Sequence, residues 1–437
     1  MSKITLIGAG SHVFARRLIA DILTWPSLAD CTIQLMDLSQ ERLDLMAALA
    51  RRMVEKQRVG VKIQATTDLK TALEGADYVF TTIRVGDSHK NVEIPEKYGI
   101  HLQVGDTTGP GGAFYFFYNA PAIVNIAQTM DAVCPDALLL NYTNPMVMLC
   151  WALRKLSKVR YVGLCHSVQG TAMRLAEYIG ASFDDVSYWA AGINHMAWFL
   201  EYKVKGKDAY PRIWAAMENP EVYERDIVKF EVLKAFGSFV TESSIHMSEY
   251  TPYFLRTPEL IEQHIGPKMW GVSGRRGLTL EQRHAAREEA RRERDEENRR
   301  WSTGEQELPP IERSGEYGSR IVNAVETNVP YVFNGNVPNT GLITNLWNDA
   351  IVEVPIMADN TGLHPCYVGD LPPQLAALDR SNLAVQELVV KGWIERDRES
   401  IYRAIALDPL TTTQLSLAET RKMVDEMFAA DEKYVGF

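Results

Sequence analysis

The sequence predicts an α/β protein in which a doubly wound parallel sheet occupies the first half of the chain. Two observations favour this class. Short apolar runs alternate with helical stretches over residues 1–164, and this alternation is typical of parallel strands joined by right-handed helical crossovers. The first run also leads directly into a glycine turn, Gly8-Ala9-Gly10-Ser11, as in Rossmann-like sheets that bind nucleotides.

The elements of the first half follow from apolar periodicity. In the first predicted helix, Phe14, Leu18, Ile19 and Ile22 share one face. Apolar runs predict strands at residues 4–7, 32–38, 61–65, 78–83, 137–140 and 161–164. Helical patterns lie between several of them, at residues 13–23, 40–59, 120–133 and 146–155.

The second half changes character, which predicts two domains with a boundary near residue 190: residues 1–190 with the parallel sheet, and an α+β domain over residues 191–437. Residues 196–270 mix aromatic strands and loops. Residues 280–301 are a dense charge run whose i,i+4 Glu/Arg pairs predict a solvent-exposed helix. A role of this helix in a subunit contact or as a lid is the alternative.

The composition disfavours several function classes. The 437 residues carry a formal net charge of −10, which argues against nucleic acid, because phosphates need a basic surface. No apolar run reaches the roughly 18 residues of a membrane span, and the first one is too short for a signal peptide. The five cysteines are scattered without a disulfide pattern. We therefore expect a cytoplasmic protein with no membrane partner.

The glycine turn predicts a dinucleotide site. Gly8 and Gly10, with Ser11 beside them, let the backbone approach a pyrophosphate at a helix N-terminus. Val13 stands where the usual fingerprint has its third glycine. Asp37, at the end of the second strand, could hold a ribose 2′-hydroxyl and repel a 2′-phosphate, which favours NAD over NADP. The alternative is an ordinary tight turn, with Asp37 capping the next helix.

Two further segments are candidates for ligand contact. The glycine-rich stretch 105–112 predicts a flexible loop that covers a ligand, with Asp106 as its ionisable group; a surface turn is the alternative. Asn144 follows the strand at 137–140, at the edge where open parallel sheets bind ligands. Its amide could hydrogen-bond a sugar or nicotinamide group without adding charge. Alternatively, Asn144 caps the helix after Pro145.

A cysteine and a histidine close the next strand at the same edge. A thiolate and an imidazole, from Cys165 and His166, together suit a soft or borderline divalent ion, and His195 could supply a third contact. Taken singly, a cysteine is more often a small buried hydrophobe, and a histidine is more often structural. The spacing alone leaves both interpretations open.

Together these segments resemble glycoside hydrolase family 4, and within it the bacterial α-galactosidases. The similarity covers most of the chain except residues 271–312, and the family is an NAD-dependent exception to glycosidases with two catalytic carboxylates. It rests on GAGS at 8–11, DTTGPGG at 106–112, NYTNPM at 141–146, GLCHSVQGTA at 163–172, AGINHMAWFLE at 191–201, FVTESSIHMSEYTPYF at 239–254 and NGNVPNTGLITNL at 334–346.

The resemblance implies an α-glycosidase that needs NAD and Mn²⁺ or another divalent metal, most closely an α-galactosidase. In this family NAD takes hydride from C3 of the sugar, a base removes the acidified C2 proton, the C1 group departs, water adds and the hydride returns. The metal ion polarises the C2 and C3 oxygens. The first domain would bind NAD, and the second would serve substrate, metal and assembly into a homodimer or homotetramer.

The resemblance also implies individual roles. Cys165 and His195 match the metal ligands, and Asn144 matches an amide that touches the substrate. His166 stands where phosphosugar members carry Asp or Asn; it would be the acid or would only touch the sugar. Asp106 matches an acidic position near the site.

The base is open at this level. Phosphosugar members use a tyrosine in the region corresponding to residues 244–250, where this chain has His246, Glu249 and Tyr250; Tyr250 is the candidate of the same residue type. Arg84 could meet a substrate carboxylate or a cofactor phosphate. The CHSV sequence at 165–168 departs from the forms found in phosphosugar members, so we expect an unphosphorylated substrate.

Three alternatives stay open. An α-glucosidase or an α-glucuronidase/galacturonidase of the same family would keep the mechanism and change the sugar. A 2-hydroxy acid dehydrogenase would share the lactate/malate dehydrogenase-like fold but would need no cysteine ligand. A catalytically silent NAD-sensing protein would have no use for a metal with open positions between Cys165 and His195.

Overall fold

The computed structural model describes residues 1–10, 14–86, 89–269 and 280–435. Its strands are β1 (Lys3–Ile7), β2 (Thr32–Met36), β3 (Lys62–Thr66), β4 (Tyr78–Thr81), β5 (Leu138–Asn141), β6 (Arg160–Gly163), β7 (Val186–Ile193), β8 (Met196–Val204), β9 (Lys207–Asp208), β10 (Phe239–Val240), β11 (Tyr331–Pro338), β12 (Ile351–Asp359) and β13 (Gly362–Pro365).

The helices account for most of the remaining described chain. They are α1 (Phe14–Leu23), α2 (Gln40–Gln57), α3 (Leu69–Leu73), α4 (His89–Lys97), α5 (Gly109–Val133), α6 (Met146–Leu156), α7 (Ser167–Tyr178), α8 (Tyr210–Ala216), α9 (Pro220–Tyr223), α10 (Ile227–Phe236), α11 (Ser244–Glu249), α12 (Pro258–His264), α13 (Leu280–Thr303), α14 (Gly318–Thr327), α15 (Pro373–Glu395), α16 (Arg398–Leu407), α17 (Leu417–Ala430) and α18 (Glu432–Val435).

All strands of the described residues belong to one sheet in the order β10-β8-β7-β12-β11-β6-β5-β4-β1-β2-β3, with β13 beside β12 and β9 beside β8. The six strands from β3 to β6 are parallel. Their order, 3-2-1-4-5-6, is that of the dinucleotide-binding fold. Its central strands are buried on both faces and read as continuous apolar runs, as parallel strands do. The predicted α/β class is confirmed.

The other half of the sheet is antiparallel and joins the parallel half where Asn336 of β11 pairs with Gly163 at the end of β6. Within the antiparallel half, an equally short contact pairs Glu353 of β12 with Gly192 of β7. A Cβ at Gly163 would lie 2.5 Å from the Met146 sulfur and 3.0 Å from the Asn336 Cβ, so a larger residue at this junction would displace its neighbours. The sheet therefore continues from the first predicted domain into the second.

The stretch 105–112 was predicted to be a flexible loop that covers a ligand, but its second half is helical. Gly109 to Gly112 form the buried first turn of α5. A Cβ on Gly111 would lie 2.5 Å from the Gly105 carbonyl oxygen, and one on Gly112 would lie 2.5 Å from the Thr107 carbonyl carbon. These glycines permit close backbone packing and do not provide a flexible cover.

Residues 196–270 were predicted as strands and loops, but they also contain the helices α8 to α12. Aromatic and branched residues hid the helical periodicity here. In α10, apolar side chains such as Ile227, Phe230 and Leu233 are buried, while Lys229 between them is buried as well. A helix buried on several sides lacks the alternation of apolar and polar faces from which a surface helix is recognised.

The charged helix α13 is largely solvent-exposed over its described side chains, as predicted, except near its C-terminal end. Near its C-terminal end, Asn298 is fully buried and Trp301 is buried. Arg16 of α1 donates to the Asn298 side-chain oxygen at 3.1 Å and its guanidinium lies 4.7 Å from the Trp301 ring centre. This end of α13 is thus packed on the parallel half. Among the helices of the described residues, none is both long and apolar enough to cross a bilayer.

Candidate functional site

The turn after β1 has the backbone geometry expected of a dinucleotide site. Gly8 has a φ of +87°, and a Cβ there would lie 2.9 Å from the Thr82 carbonyl oxygen. Both requirements restrict the position to glycine. The Gly8 and Ala9 N–H groups each donate to the Met36 carbonyl at 3.0 Å. The turn is therefore held at the end of β2, next to Asp37.

Asp37 contacts the glycine turn directly. Its Oδ2 accepts a hydrogen bond from the Gly10 N–H at 2.9 Å, and its Oδ1 accepts one from the Ser39 N–H at 3.0 Å. The N-cap of α2 is Ser39, whose side chain accepts from the Arg42 N–H, so Asp37 is not the helix cap. Ser11, also predicted to bind the cofactor, lies outside the described residues.

Asn144 follows β5 at the same edge of the sheet. The N-cap of α6 is Pro145, and the buried Oδ1 of Asn144 has no hydrogen-bond partner among the described residues. Asn144 therefore does not cap the helix. A buried amide oxygen without a partner is costly, which is consistent with a ligand contact.

Cys165 and His195 come from strands that are distant in the chain. Cys165 follows β6, and its Sγ lies 3.4 Å from the Ser167 hydroxyl. His195 occupies the two-residue turn between β7 and β8 with a φ of +67°, a conformation uncommon for residues other than glycine. Strain of this kind often occurs at functional positions. The structure thus brings the two predicted ligands together.

Glu242 completes a cluster that the sequence interpretation missed. Ligand atoms of Cys165, His195 and Glu242 all lie within 4.8 Å of one another. The His195 Nε2 is 3.2 Å from the Glu242 Oε2. Glu242 follows β10, a two-residue strand that pairs with β8, so the same hairpin that carries His195 also fixes this carboxylate.

The charges of the cluster depend on one another. Burial would raise the pKa of Glu242, but the imidazoles of His195 and His246 and hydrogen bonds from Ser243 outweigh it and lower the pKa to about 2. Burial raises the pKa of the Cys165 thiol, and the charge of Glu242 raises it further. The cluster combines an ionised carboxylate with a thiol that a cation would help to ionise.

The donor set fits a divalent metal ion. Thiolate, imidazole and carboxylate together suit a borderline first-row ion. Glu353 of β12 lies close to the cluster: it is fully buried, and neither carboxylate oxygen has a hydrogen-bond partner among the described residues. Burial and the nearby Cys165 raise the pKa of Glu353 well above its usual value. A bound cation would offset this concentration of acidic groups.

The three candidate bases have different surroundings. Glu249 accepts hydrogen bonds from backbone N–H groups of residues 103–105, including Val104 at 2.6 Å and Gly105 at 3.2 Å. His246 Nδ1 lies 3.0 Å from His195 Nδ1. Tyr250 is buried, and its ring centre is 6.1 Å from that of His195. Glu249 and His246 thus hold neighbouring groups of the site in place, and the Tyr250 side chain has its own hydrogen bond with Thr107.

Tyr250 and Asp106 lie in the same acidic environment. Burial raises the pKa of Tyr250 well above its usual value, and Glu242, Asp106 and Glu249 raise it further. The Oδ1 of Asp106 is buried without a hydrogen-bond partner among the described residues. The Arg84 guanidinium lies 5.9 Å from the Tyr115 ring centre.

His166 is not part of the metal cluster, and it contacts a residue that the sequence interpretation did not predict. Its Nε2 lies 2.7 and 2.6 Å from the two carboxylate oxygens of Glu316. Partial burial would lower the pKa of His166, but the hydrogen bond and the charge of Glu316 outweigh it and raise the pKa. Sequence reasoning had no signal for Glu316, which precedes α14 and is distant from His166 in the chain.

The fold and the site together define a class: an enzyme with a dinucleotide-type turn and a metal-competent Cys-His-Glu cluster at one edge of the sheet. The chain belongs to the family 4 glycosyl hydrolases. A family described as "Family 4 glycosyl hydrolase" matches residues 3–181, and one described as "Family 4 glycosyl hydrolase C-terminal domain" matches residues 190–411.

Similar proteins agree with this assignment. The chain is 39% identical to an alpha-galactosidase of Bacillus subtilis (strain 168), over 98% of each chain. It is 37% identical to an alpha-galactosidase of Rhizobium meliloti (strain 1021), covering 99% of this chain and 89% of the relative.

Solved structures show the fold. A 6-phospho-beta-glucosidase from Thermotoga maritima, solved with manganese, NAD⁺ and glucose-6-phosphate, is 19% identical with a TM-score of 0.80, over 99% of both chains. A malate dehydrogenase from Plasmodium falciparum, at 13% identity and a TM-score of 0.53, covers 93% of this chain and all of its own. The predicted dehydrogenase-like fold is confirmed, while the family assignment separates the chain from 2-hydroxy acid dehydrogenases.

Proposed function

We propose that this family 4 glycosidase is an α-galactosidase that acts through transient oxidation at C3, C2 deprotonation and elimination followed by water addition. One observation carries the proposal: the Cys165, His195 and Glu242 cluster lies at the sheet edge that also presents the glycine turn and the Asn144 Oδ1, a buried oxygen without a hydrogen-bond partner among the described residues. The similarity to two alpha-galactosidases supports the choice of sugar.

Two cofactors follow from the residues that would hold them. NAD, held by Gly8, Gly10 and Asp37 with Ser11 beside them, would accept a hydride from the sugar and return it. A divalent ion such as Mn²⁺, held by Cys165, His195 and Glu242, would polarise sugar oxygens. The Thermotoga maritima structure with manganese and NAD⁺ supports both.

Among the candidate bases, we assign Tyr250 to proton removal at C2. Glu249 holds the backbone of residues 103–105 and thereby the position of Asp106. His246 contacts His195 and is placed to orient that ligand. Tyr250 is of the residue type that phosphosugar members use, and its ring lies against that of His195.

Asn144 and Asp106 would bind sugar hydroxyls. Each has a buried side-chain oxygen without a partner among the described residues, and hydroxyl donors of a sugar would satisfy them. Arg84, next to Tyr115, is left as a contact for a cofactor phosphate. His166 is assigned to the leaving group.

The charge of the site favours a neutral sugar. A uronate or a phosphate would add a negative group to an environment that is already acidic, at a cost that low dielectric increases. The carboxylates that carry this argument are Glu242, whose pKa is lowered to about 2, and Asp106; burial raises the pKa of Glu249 and Glu353, so these two do not add to it. This supports a galactoside over a galacturonide or glucuronide.

The division at residue 190, with NAD binding in the first part and metal, substrate and oligomer contacts in the second, is part of the proposal. A homodimer or homotetramer in the cytoplasm is proposed with it. Sedimentation equilibrium of the NAD- and Mn²⁺-loaded protein measures the number of subunits, and a monomer at working concentration would contradict that part.

The test of function combines a substrate panel with isotope exchange. Aryl α-galactoside, α-glucoside, α-galacturonide and α-glucuronide are assayed with NAD and Mn²⁺ under reducing conditions; the galactoside should turn over fastest. In D₂O, deuterium should appear at C2 of the released galactose. Hydrolysis without C2 deuterium means that the elimination route does not operate here.

The same exchange ranks the bases. Tyr250→Phe should lose C2 exchange by roughly 10²–10⁴-fold, the usual worth of a general base. His246→Ala should act through weaker metal binding, and Glu249→Gln through a disordered 103–105 backbone. Normal exchange in Tyr250→Phe would transfer the role to His246.

A further inference from the structure

The segment of residues 314–318, which leads into α14, is anchored to the parallel half of the molecule. Ser314 donates to the Asp21 carboxylate from its N–H at 2.6 Å and from its hydroxyl at 2.8 Å. Asp21 lies in α1 and is fully buried. The segment is therefore fixed next to the start of the dinucleotide fold.

Two further hydrogen bonds connect this segment to the site. The Tyr317 hydroxyl donates to the Cys165 carbonyl oxygen at 2.7 Å, and the Gly318 N–H donates to the Tyr142 hydroxyl at 3.1 Å. Tyr142 stacks on His166, with ring centres 5.7 Å apart. The segment thus holds both the backbone before His166 and one wall of its ring.

Glu316, within this segment, differs from His166 in exposure. The Glu316 side chain is 5% exposed, whereas the His166 side chain is 51% exposed. Both Glu316 oxygens meet one ring nitrogen, Nε2. The ring plane is fixed by this contact and by Tyr142 and Phe14, while about half of the His166 side chain stays exposed.

We propose that Glu316 is a positioning residue that holds the His166 ring so that its Nδ1 meets the glycosidic oxygen of the substrate. This inference rests on the proposed function. As the C1–O bond breaks, its electron pair goes to the leaving oxygen, which takes the proton from Nδ1. The electron pair left at C2 forms the C1–C2 double bond. Water then adds to C1, and its proton returns to His166.

A buried carboxylate behind a partly exposed imidazole is the geometry that favours this assignment over a purely structural one. A structural ion pair would gain nothing from leaving one ring edge accessible. An oriented proton donor needs that edge, together with a fixed ring angle toward the reacting atom.

The leaving group supplies the test. Glu316→Gln is compared with wild type on an α-galactosyl disaccharide, whose leaving alcohol needs a proton, and on p-nitrophenyl α-galactoside, whose phenolate does not. We expect kcat to fall about 10²-fold on the disaccharide, the lower end of general acid effects, and to change little on the aryl substrate. Equal losses on both substrates, or no loss on the disaccharide, would overturn the proposal.

Two controls guard against misfolding. Glu312→Gln makes the same chemical change at an exposed position of the preceding loop and should match wild type on both substrates. In a His166→Ala background, Glu316→Gln should cause no additional loss, because the residue it positions is gone. An additional loss there means that Glu316 acts through something other than His166.

The proposed function is tested separately by the wild type. C2 deuterium exchange and NAD dependence on the aryl substrate report the elimination route without leaving-group protonation. If wild type lacks both, the proposed function fails. If wild type has both and Glu316→Gln shows no difference between substrates, the positioning role alone fails.

Discussion

The two halves of the sheet bring different kinds of groups to one edge. The parallel half presents the groups of a dinucleotide site, the glycine turn with Asp37 beside it, and the amide of Asn144. The antiparallel half presents ionisable side chains, His195 and Glu242, against Cys165 at the end of β6. The dinucleotide frame is generic to its fold, and the reactive cluster exists only because the second half extends the same sheet.

The parallel half was predictable because its signals are local. The first strand was predicted at residues 4–7 and observed as Lys3–Ile7; the second helix was predicted at 40–59 and observed as Gln40–Gln57. Apolar runs, helix periodicity and the glycine turn each lie within a few neighbouring residues, so a single sequence contains them.

The antiparallel half was less predictable because its contacts are distant in the chain. β11 and β12 lie between β6 and β7 in the sheet. Asn336 therefore pairs with Gly163, a residue far from it in the sequence. Glu242 follows β10, which has two residues and no readable alternation. An acidic residue just after an aromatic strand, near the edge that holds His195, was the one available signal.

The largest expected effect is on stability. It tests how much a buried ion pair near the cluster contributes to the free energy of unfolding of the antiparallel half. Lys229 and Asp226 are fully buried with their charged atoms 3.0 Å apart. Asp226→Asn would leave the lysine without its countercharge, and breaking such a pair costs about 3–5 kcal/mol. We expect the free energy of unfolding to fall by this amount in denaturant titration.

The same network reaches Glu242. Lys229 contacts the Thr171 hydroxyl, which donates to the Thr241 carbonyl at 2.6 Å. The matched control is Glu201→Gln, which removes the exposed partner of Lys203 and should cost no more than about 1 kcal/mol. Similar losses in both variants would show that the buried pair is not special to this half.

The next effect concerns the cluster itself. Glu242→Gln keeps the size of the side chain and removes its charge, so Mn²⁺ should bind at least about 10–100-fold more weakly, the loss typical even of outer-shell partners. Free Mn²⁺ measured by electron paramagnetic resonance gives the affinity without any turnover. Glu201→Gln should leave it unchanged.

Metal removal extends this prediction to the wild type. Chelation with EDTA followed by gel filtration should abolish activity, and added Mn²⁺ should restore it. Oxidation of Cys165 should also inactivate, because the thiolate is the form that binds metal. Full turnover after chelation, or unaltered Mn²⁺ affinity in Glu242→Gln, would remove the cluster from the reaction.

The smallest effect concerns the parallel half. It tests whether this half contributes only the general dinucleotide frame or also selects the cofactor. Asp37 accepts the Gly10 N–H at 2.9 Å and is placed to meet a ribose 2′-hydroxyl. Asp37→Ala should weaken NAD binding by about 1–3 kcal/mol, the worth of a hydrogen bond to a charged group, and should relax the preference for NAD over NADP. Fluorescence titration with both reduced cofactors measures this, with Asp44→Ala on the exposed side of α2 as the control. A wild type that binds both cofactors equally would show that Asp37 only supports the turn, and cofactor choice would then depend on residues outside this edge of β2.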